Sequence, residues 1–327
     1  MNNNNTLTEK YRPINIEDVV SHDLIKNTIF NYLDNKYLPN MLFYGKPGLG
    51  KTSLIISLVN KYYNIHNHNL IIINASEERG VQTIRDKIEP YCNLSLNKSN
   101  NDFLNFKLIV LDEVDSMTID AQNILRIIVE KHINNVRFCL ICNYLNKIIL
   151  PLQSRFIIFK FKPLTTDYLN LYLNKILNLE NIIINKKALN IIYKYCDGDL
   201  RKILNIIQSL KIYNNSNNAI KENDVKKLIK YPSSTDIIKF IKFFKKYNLQ
   251  TSIETITSYF IENNLLLNEV ILEFYDTIIN FIINKNYTYY DIDKMKFIIN
   301  KMAIINKNLV NSHQDNINII SFISIFY

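Results

Sequence analysis

Two short stretches of this chain hold residues that together could handle a nucleoside triphosphate. Gly45, Lys46, Pro47, Gly48, Leu49, Gly50, Lys51 and Thr52 fit the spacing G-x-x-x-x-G-K-[ST]. Such a loop turns backbone N–H groups toward one point at the mouth of a helix, which makes a cradle for phosphate. Lys51 is placed to reach the β- and γ-phosphates of ATP and the Thr52 hydroxyl to ligate Mg²⁺, with Ser53 carrying the loop into its helix. The chain has only 5 glycines, and Gly45, Gly48 and Gly50 all fall here, where backbone freedom has a use. The second stretch is an apolar run, 108–111, ending in Asp112, Glu113, Val114 and Asp115. Asp112 is placed to hold the metal and Glu113 to polarise an attacking water. The competing reading is an acidic helix start capped by Asp115 or Ser116. A cap needs one acid and no buried strand before it, so beside the glycine loop the metal-and-water reading wins.

Three further residues are bland when taken singly. Asn143 closes the apolar run 137–142, where a neutral amide can sense a γ-phosphate, although Asn after a strand is commonly a turn residue. Arg155, in Gln153-Ser154-Arg155, reads alone as a surface arginine. Arg201, after Gly198-Asp199-Leu200, reads alone as a helix-start residue.

The elements that must position these groups follow from the apolar pattern. Short apolar runs at 40–44, 70–74, 106–111, 136–142 and 156–161 alternate with helical stretches at 53–63, 81–91 and 118–132. Fully apolar strands alternating with helices predict a parallel sheet covered on both faces, with its ligand at the carboxyl ends of the strands. After Pro163 the strands stop, and 165–179, 186–196 and 200–212 read as helices of a small all-α unit. The stretch 221–230 leads to Tyr231-Pro232-Ser233-Ser234-Thr235, a linker signature, and everything from 236 onward reads as helix. The predicted division is therefore residues 1–163, 164–231 and 232–327. The run 237–244 carries more apolar surface than a helix facing solvent needs. A bundle core and a subunit interface explain it equally well.

Composition narrows the class further. With 327 residues and 47% hydrophobic content, the chain can bury sizeable cores. Its net charge of +9 permits an acidic partner such as nucleic acid, but the lysines are dispersed in the manner of solvated helix faces. The first ten residues lack an apolar signal core, and no run approaches the ~18 apolar residues of a membrane span, so the expectation is an intracellular, reduced protein that is neither secreted nor membrane-inserted. Cys139 and Cys142 have zinc-knuckle spacing, yet no second pair completes four ligands, and core packing is the better reading. The asparagine runs 2–5 and 214–218 read as tolerated low-complexity tips.

In order along the chain stand Glu9-Lys10-Tyr11-Arg12-Pro13, the glycine loop, Asn74-Ala75-Ser76-Glu77-Glu78-Arg79-Gly80, Asp112 to Asp115, Arg137 through Asn143-Tyr144, Gln153-Ser154-Arg155 and Gly198-Asp199-Leu200-Arg201. This series resembles the replication factor C small subunits, AAA+ sliding-clamp loaders, over roughly 8–210 and more loosely beyond. The resemblance implies an AAA+ P-loop domain (1–163), a small helical lid (164–231) and a C-terminal all-α collar (232–327) that joins subunits. It implies nucleotide contacts from Thr8 and Arg12, Asn143 as a first sensor and Arg201 as a second on the lid. Arg155 corresponds to an arginine finger acting in trans on ATP held by a neighbour. It further implies a heteropentamer that loads a sliding clamp onto primer–template DNA, in the nucleus of a cell or at a viral replication site. A structural subunit with little turnover of its own, and another AAA+ DNA-remodelling ATPase, are the alternatives. The sequence departs from the family at Phe156, where Cys is usual, and at Lys46, Leu49 and Val114, without loss of a catalytic group. Arg79 and Arg85 are candidate grips on DNA phosphates, weighed evenly against a salt-bridged helix face formed with Glu77, Glu78, Asp86 and Glu89.

Overall fold

The structure, a computed structural model, describes residues 6–19, 22–62, 69–77, 80–95, 106–213, 219–232, 234–285, 287–311 and 315–327. Both asparagine runs lie outside the described residues. The chain divides into two units, Met1–Ile183 with Ile192–Asn217, and Ile184–Ile191 with Asn218–Tyr327.

The first unit is built on five strands, β1 (Met41–Tyr44), β2 (Leu70–Asn74), β3 (Lys107–Asp112), β4 (Val136–Cys142) and β5 (Ile157–Lys160). They form one sheet in the order β2-β3-β4-β1-β5, with every pairing parallel. After β1 the chain travels to the far edge, and after β4 it crosses back over β1 to β5. The connections therefore part on either side of β1 and β4, which opens a crevice at the carboxyl ends of those strands. The helices of this unit are α1 (Leu7–Lys10), α2 (Asp23–Asp34), α3 (Lys51–Tyr62), α4 (Val81–Thr83), α5 (Glu89–Asn93), α6 (Ile119–Lys131), α7 (Leu150–Gln153), α8 (Thr166–Leu179) and α10 (Leu200–Tyr213). The intervening α9 (Lys186–Cys196) is shared with the second unit.

Alternation along the strands sorts their side chains into two cores. Met41, Phe43, Leu108, Val110, Cys139 and Ile141 join Ile29 and Leu33 of α2 and Leu54, Ile55 and Leu58 of α3. Leu42, Ile109, Leu111, Phe138, Leu140 and Cys142 join Ala121, Leu125, Ile128 and Val129 of α6 on the other face. Cys139 and Cys142 thus point to opposite faces of the sheet, and all four cysteines are buried and free. A shared metal is geometrically impossible for that pair, as the core-packing reading expects.

Three predicted boundaries move for visible reasons. Asn40 stays outside β1 because its side chain is engaged across the sheet, where its Oδ1 accepts the Phe138 backbone N–H at 2.9 Å. β3 opens on a lysine that is only 2% exposed. The Lys107 ammonium donates to the carbonyls of Tyr91 (2.7 Å) and Leu94 (2.5 Å), the open carbonyls at the end of α5. The helix expected over 81–91 is interrupted by a π turn, Ile84–Ile88, before α5 begins at Glu89. Pro90 has no N–H to continue an α-helical ladder from upstream, and the widened turn absorbs that missing donor.

The second unit comprises the segment Ile184–Ile191 with α11 (Glu222–Ile229), α12 (Ser234–Lys246), α13 (Leu249–Asn263), α14 (Leu267–Ile283), α15 (Ile292–Asn311) and α16 (Asp315–Ser324). Its core is aromatic: Phe244 stacks on Phe326 at 4.3 Å between centroids, and Phe274 meets Phe322 edge-on at 5.2 Å. Ile237, Phe240, Ile241 and Phe244 are all spent in this core, so the run 237–244 packs inside its own bundle. Apolar side chains do remain outside, with Leu272, Ile279 and Ile283 along α14 and Phe297 and Ile304 along α15. Among the described residues no helix is long and apolar enough to cross a membrane.

The buried lysine of β3 yields a stability prediction. Lys107→Met keeps the stem's bulk but leaves two carbonyls without a charged donor, so urea unfolding is expected to show a loss of about 2–3 kcal/mol. A change of no more than about 0.5 kcal/mol, the size typical of an inconsequential surface substitution, would contradict the role.

Candidate nucleotide site

The glycine loop leaves β1 and turns into α3. A side chain at Gly45 would stand 2.5 Å from the Phe161 carbonyl oxygen, so the close pass of two backbones at the end of β5 requires glycine there. Gly48 has φ +72 and lies against Asp199, and its carbonyl accepts the Leu200 N–H at 3.3 Å. The loop is thereby fitted to the turn that opens α10.

Lys51, at the first position of α3, is only 6% exposed. Its ammonium donates to the carbonyls of Gly45 (2.7 Å) and Lys46 (2.8 Å) and to Asn143 Oδ1 (2.8 Å). Burial lowers its pKa from the usual lysine value, and Asp112 opposes that shift. Next to it the Thr52 hydroxyl donates to Asp112 Oδ2 at 2.7 Å, while Asp112 Oδ1 accepts the Glu113 N–H at 2.9 Å. A hydroxyl and a carboxylate side by side are hard oxygen donors of the kind a magnesium ion takes.

Glu113 itself sits in the left-handed region at φ 56, ψ 40. That conformation costs roughly 1–2 kcal/mol for a residue with a side chain. The Glu113 carbonyl is held by the Ser116 N–H (2.9 Å) and hydroxyl (2.7 Å), yet its carboxylate makes no capping hydrogen bond. Asp115 is engaged elsewhere, accepting the Tyr144 N–H at 3.3 Å, and Ser116 Oγ donates to the Ala75 carbonyl. The acids after β3 are therefore not consumed in starting a helix, which disfavours the capping alternative.

Gly48, Lys51, Thr52, Asp112 and Glu113 line one cleft of about 460 Å³. Its phosphate-loop wall runs from Pro47 through Ser53 and is joined by Asp112, Glu113 and Asn143. Thr8 and Arg12 enter from the N-terminal segment and Arg201 from α10, so residues far apart in sequence line the same cleft. Arg201 follows Asp199, whose carboxylate accepts the N–H groups of Arg201 (2.9 Å) and Lys202 (3.2 Å). Gly45 and Lys46 do not line the cleft; Lys46 forms an ion pair with Asp197 beside the α10 turn. Arg155 is also absent from this cleft. Its guanidinium pairs with Glu130 of α6, which Arg126 contacts as well. Arg79 lies outside the described residues. Arg85 is exposed on the π turn, and the neighbouring Glu89 pairs with Lys131 at 3.3 Å.

Sequence reasoning missed the cleft's other end: Val19, Leu164, Tyr168, Tyr172 and Leu204. Two signals were available, since Tyr168 and Tyr172 are one helical turn apart on α8 and Leu204 lies three residues after Arg201. It also missed Glu180. This carboxylate, just past α8, accepts from Lys10 (2.6 Å), Tyr11 (2.6 Å) and Lys211 of α10 (2.7 Å). With the Tyr172 hydroxyl on the Tyr11 carbonyl and Gln208 on the Leu7 N–H, it ties the segment bearing Thr8 and Arg12 to α8 and α10.

The fold and the loop–acid pair define the class of protein, a P-loop ATPase, and the family "ATPase family associated with various cellular activities (AAA)" matches residues 41–164. The structure is similar to the Thermotoga maritima RuvB Holliday junction branch migration motor, with a TM-score of 0.54 at 16% identity over 80% of this chain and 91% of that one. That likeness concerns the fold alone. By sequence, the chain is 38% identical to the probable replication factor C subunit 5 of Dictyostelium discoideum over 80% of its length and 75% of that protein's. It is 34% identical to replication factor C subunit 3 of Schizosaccharomyces pombe, over 90% and 84%. The chain belongs to the replication factor C small-subunit family of AAA+ ATPases, and it binds nucleotide.

Glu180 makes a pH prediction. Burial pushes its carboxyl up, but hydrogen bonds from Lys10, Lys211 and Tyr11 outweigh that and hold its pKa at about 2. A depressed carboxylate contributes stability that is present above its unfolded pKa, near 4.5, and is lost as pH falls toward 2. Wild type should exceed Glu180→Gln by up to about 3 kcal/mol at neutral pH, with the gap shrinking below pH ~4.5. Urea midpoints taken across that range measure it, and a gap that stays constant with pH would refute the linkage.

Proposed function

We propose that this chain is an ATP-hydrolysing small subunit of a heteropentameric clamp loader, acting where DNA is replicated. In this reading it binds ATP in the cleft at the ends of β1, β3 and β4 and helps place a sliding clamp on primer–template DNA. The single observation that carries the proposal is the pairing of Lys51 with Asn143 beside the pairing of Thr52 with Asp112. One joins the phosphate loop to β4, the other joins it to β3.

The roles follow from where the groups stand. The N–H groups of residues 48–52 and the Lys51 ammonium bind the phosphate oxygens; the lysine exchanges its carbonyl partners for phosphate. Thr52 and Asp112 would hold Mg²⁺, which neutralises phosphate charge when bound. Glu113, whose carboxylate is left uncommitted by the turn, orients water for attack and takes up its proton. Asn143, released from Lys51 when phosphate arrives, passes the change to β4. Arg12, Thr8 and Arg201 close over the nucleotide from the N-terminal segment and α10, with Tyr168, Tyr172, Val19 and Leu204 receiving the base. Arg155, paired with Glu130 at a distance from this cleft, serves the ATP of an adjoining subunit. Arg85, with Arg79, meets DNA phosphates without reading sequence. The proposed domains are 1–163, 164–231 and 232–327, and the outer apolar residues of α14 and α15 provide subunit contact in the last of these.

Three variants test the assignment. Lys51→Ala is expected to abolish binding of a fluorescent ATP analogue, and unchanged affinity would refute the site. Glu113→Gln should retain binding and slow single-turnover hydrolysis by roughly 10²–10⁴. Arg155→Ala should leave ATP binding in this chain intact and slow hydrolysis at the adjoining site of the reconstituted complex by about 10³–10⁵. A defect confined to this chain's own site would contradict its service in trans.

A further inference from the structure

A histidine outside the cleft touches the phosphate loop at one atom. His22 is the residue before α2, at φ 65, and its Nε2 lies 3.2 Å from the Leu49 carbonyl oxygen. Its ring meets Phe161 edge-on at 4.6 Å between centroids. Phe161 is the residue whose backbone presses on Gly45, so the ring is braced by the same chain that shapes the loop's start. His22 does not line the cleft, and the groups around it are Asp23 and Lys26 of α2, with Tyr168 of α8 donating to Asp23 at 3.0 Å.

The consequence lies in the Leu49–Gly50 peptide. A planar trans peptide points its C=O and its N–H in opposite directions. With the Leu49 carbonyl turned to the histidine ring, the Gly50 N–H must point away from that ring. Gly50 lines the cleft, has φ +84, and has nothing within 4 Å of where a side chain would begin. A glycine this free would rotate its preceding peptide readily unless something held it.

We infer that His22 is a positioning residue for nucleotide binding: its Nε2–H holds the Leu49 carbonyl so that the Gly50 N–H faces the phosphates. The inference rests on the reading of 45–52 as the phosphate loop and adds a residue to it. Burial holds the ring's pKa below the ordinary histidine value, with the Leu49 hydrogen bond opposing, so the ring is neutral at pH 7. A neutral ring donates from one nitrogen only, which requires the Nε2–H tautomer.

The test compares ATP and ADP binding by the full chain as wild type, His22→Phe, His22→Gln and Lys51→Ala, using fluorescent analogues. His22→Phe keeps a ring against Phe161 and loses the donor, and should weaken both nucleotides by about three- to tenfold. His22→Gln presents an N–H at nearly the position of Nε2 and should remain within about twofold of wild type. Binding by His22→Phe that matches wild type, or equal losses in the two His22 variants, would overturn the donor role. Lys51→Ala separates the two claims: if it binds normally, the phosphate-loop reading falls, whereas a Lys51→Ala loss with normal His22→Phe binding removes this inference alone. A measurement on wild type stands independent of how the variants fold. The His22 ring nitrogens in ¹⁵N spectra should report Nε2 protonated and Nδ1 bare at pH 7, and the opposite tautomer would overturn the proposal.

Discussion

The ammonium of Lys51 is a positive charge with almost no water around it, and the arrangement of the cleft follows from the need to compensate it. A buried charge without partners is costly enough that it either neutralises or forces its surroundings to supply oxygens. Here the surroundings supply three, from Gly45, Lys46 and Asn143, with Asp112 adding its field. Two of those oxygens come from the loop's own backbone, so the lysine shapes the loop that carries it. The third comes from the end of β4, 92 residues away in sequence. Phosphate oxygens offer the same compensation, and that equivalence is the ground for proposing that Asn143 responds to nucleotide.

The sheet makes this possible through register. Tyr44 at the end of β1 lies beside Cys142 at the end of β4, so the loop and Asn143 emerge at the same level. Leu111 of β3 pairs with Leu140 of β4, placing the acidic end of β3 at the same edge. Around this edge the N-terminal segment and α10 are fastened by Glu180, and the loop is fastened to the α10 turn by Lys46 and Gly48. The exposed Lys46–Asp197 pair contributes little energy by itself, on the order of 0–1 kcal/mol. The backbone contact at Gly48 is a different matter, because it depends on the absence of a side chain.

Much of this was legible beforehand. The run 136–142 has the bounds read from its apolar pattern, because a buried parallel strand admits little else, and 70–74 keeps its bounds too, although the structure makes it a half-exposed edge strand rather than the buried one expected. The other strands begin a residue later than read, since Asn40, Phe106 and Phe156 are apolar in company or buried in place without belonging to the ladder. The π turn was hidden because a proline's effect on the preceding turns depends on which ring of hydrogen bonds the helix can reform. Glu180 resembled any solvated acid at a helix end; its three donors come from two distant segments. Tyr168 and Tyr172 resembled an ordinary helix face, and only the cleft shows what they line.

By itself the sequence determined the chemistry available at this site. Residue types and spacing within one loop, and acids at the end of one apolar run, are local facts, and local backbone geometry suffices to aim them. The apolar alternation likewise settled that a parallel sheet would carry them. What the tertiary structure alone decided is which distant groups meet in the cleft and around the loop that borders it: Asn143 on Lys51, Asp112 on Thr52, Asp199 against Gly48, and His22 on Leu49. The physical reason is reach. A hydrogen bond acts over about 3 Å, and no spacing rule along the chain says which side chains register and crossover will bring within it.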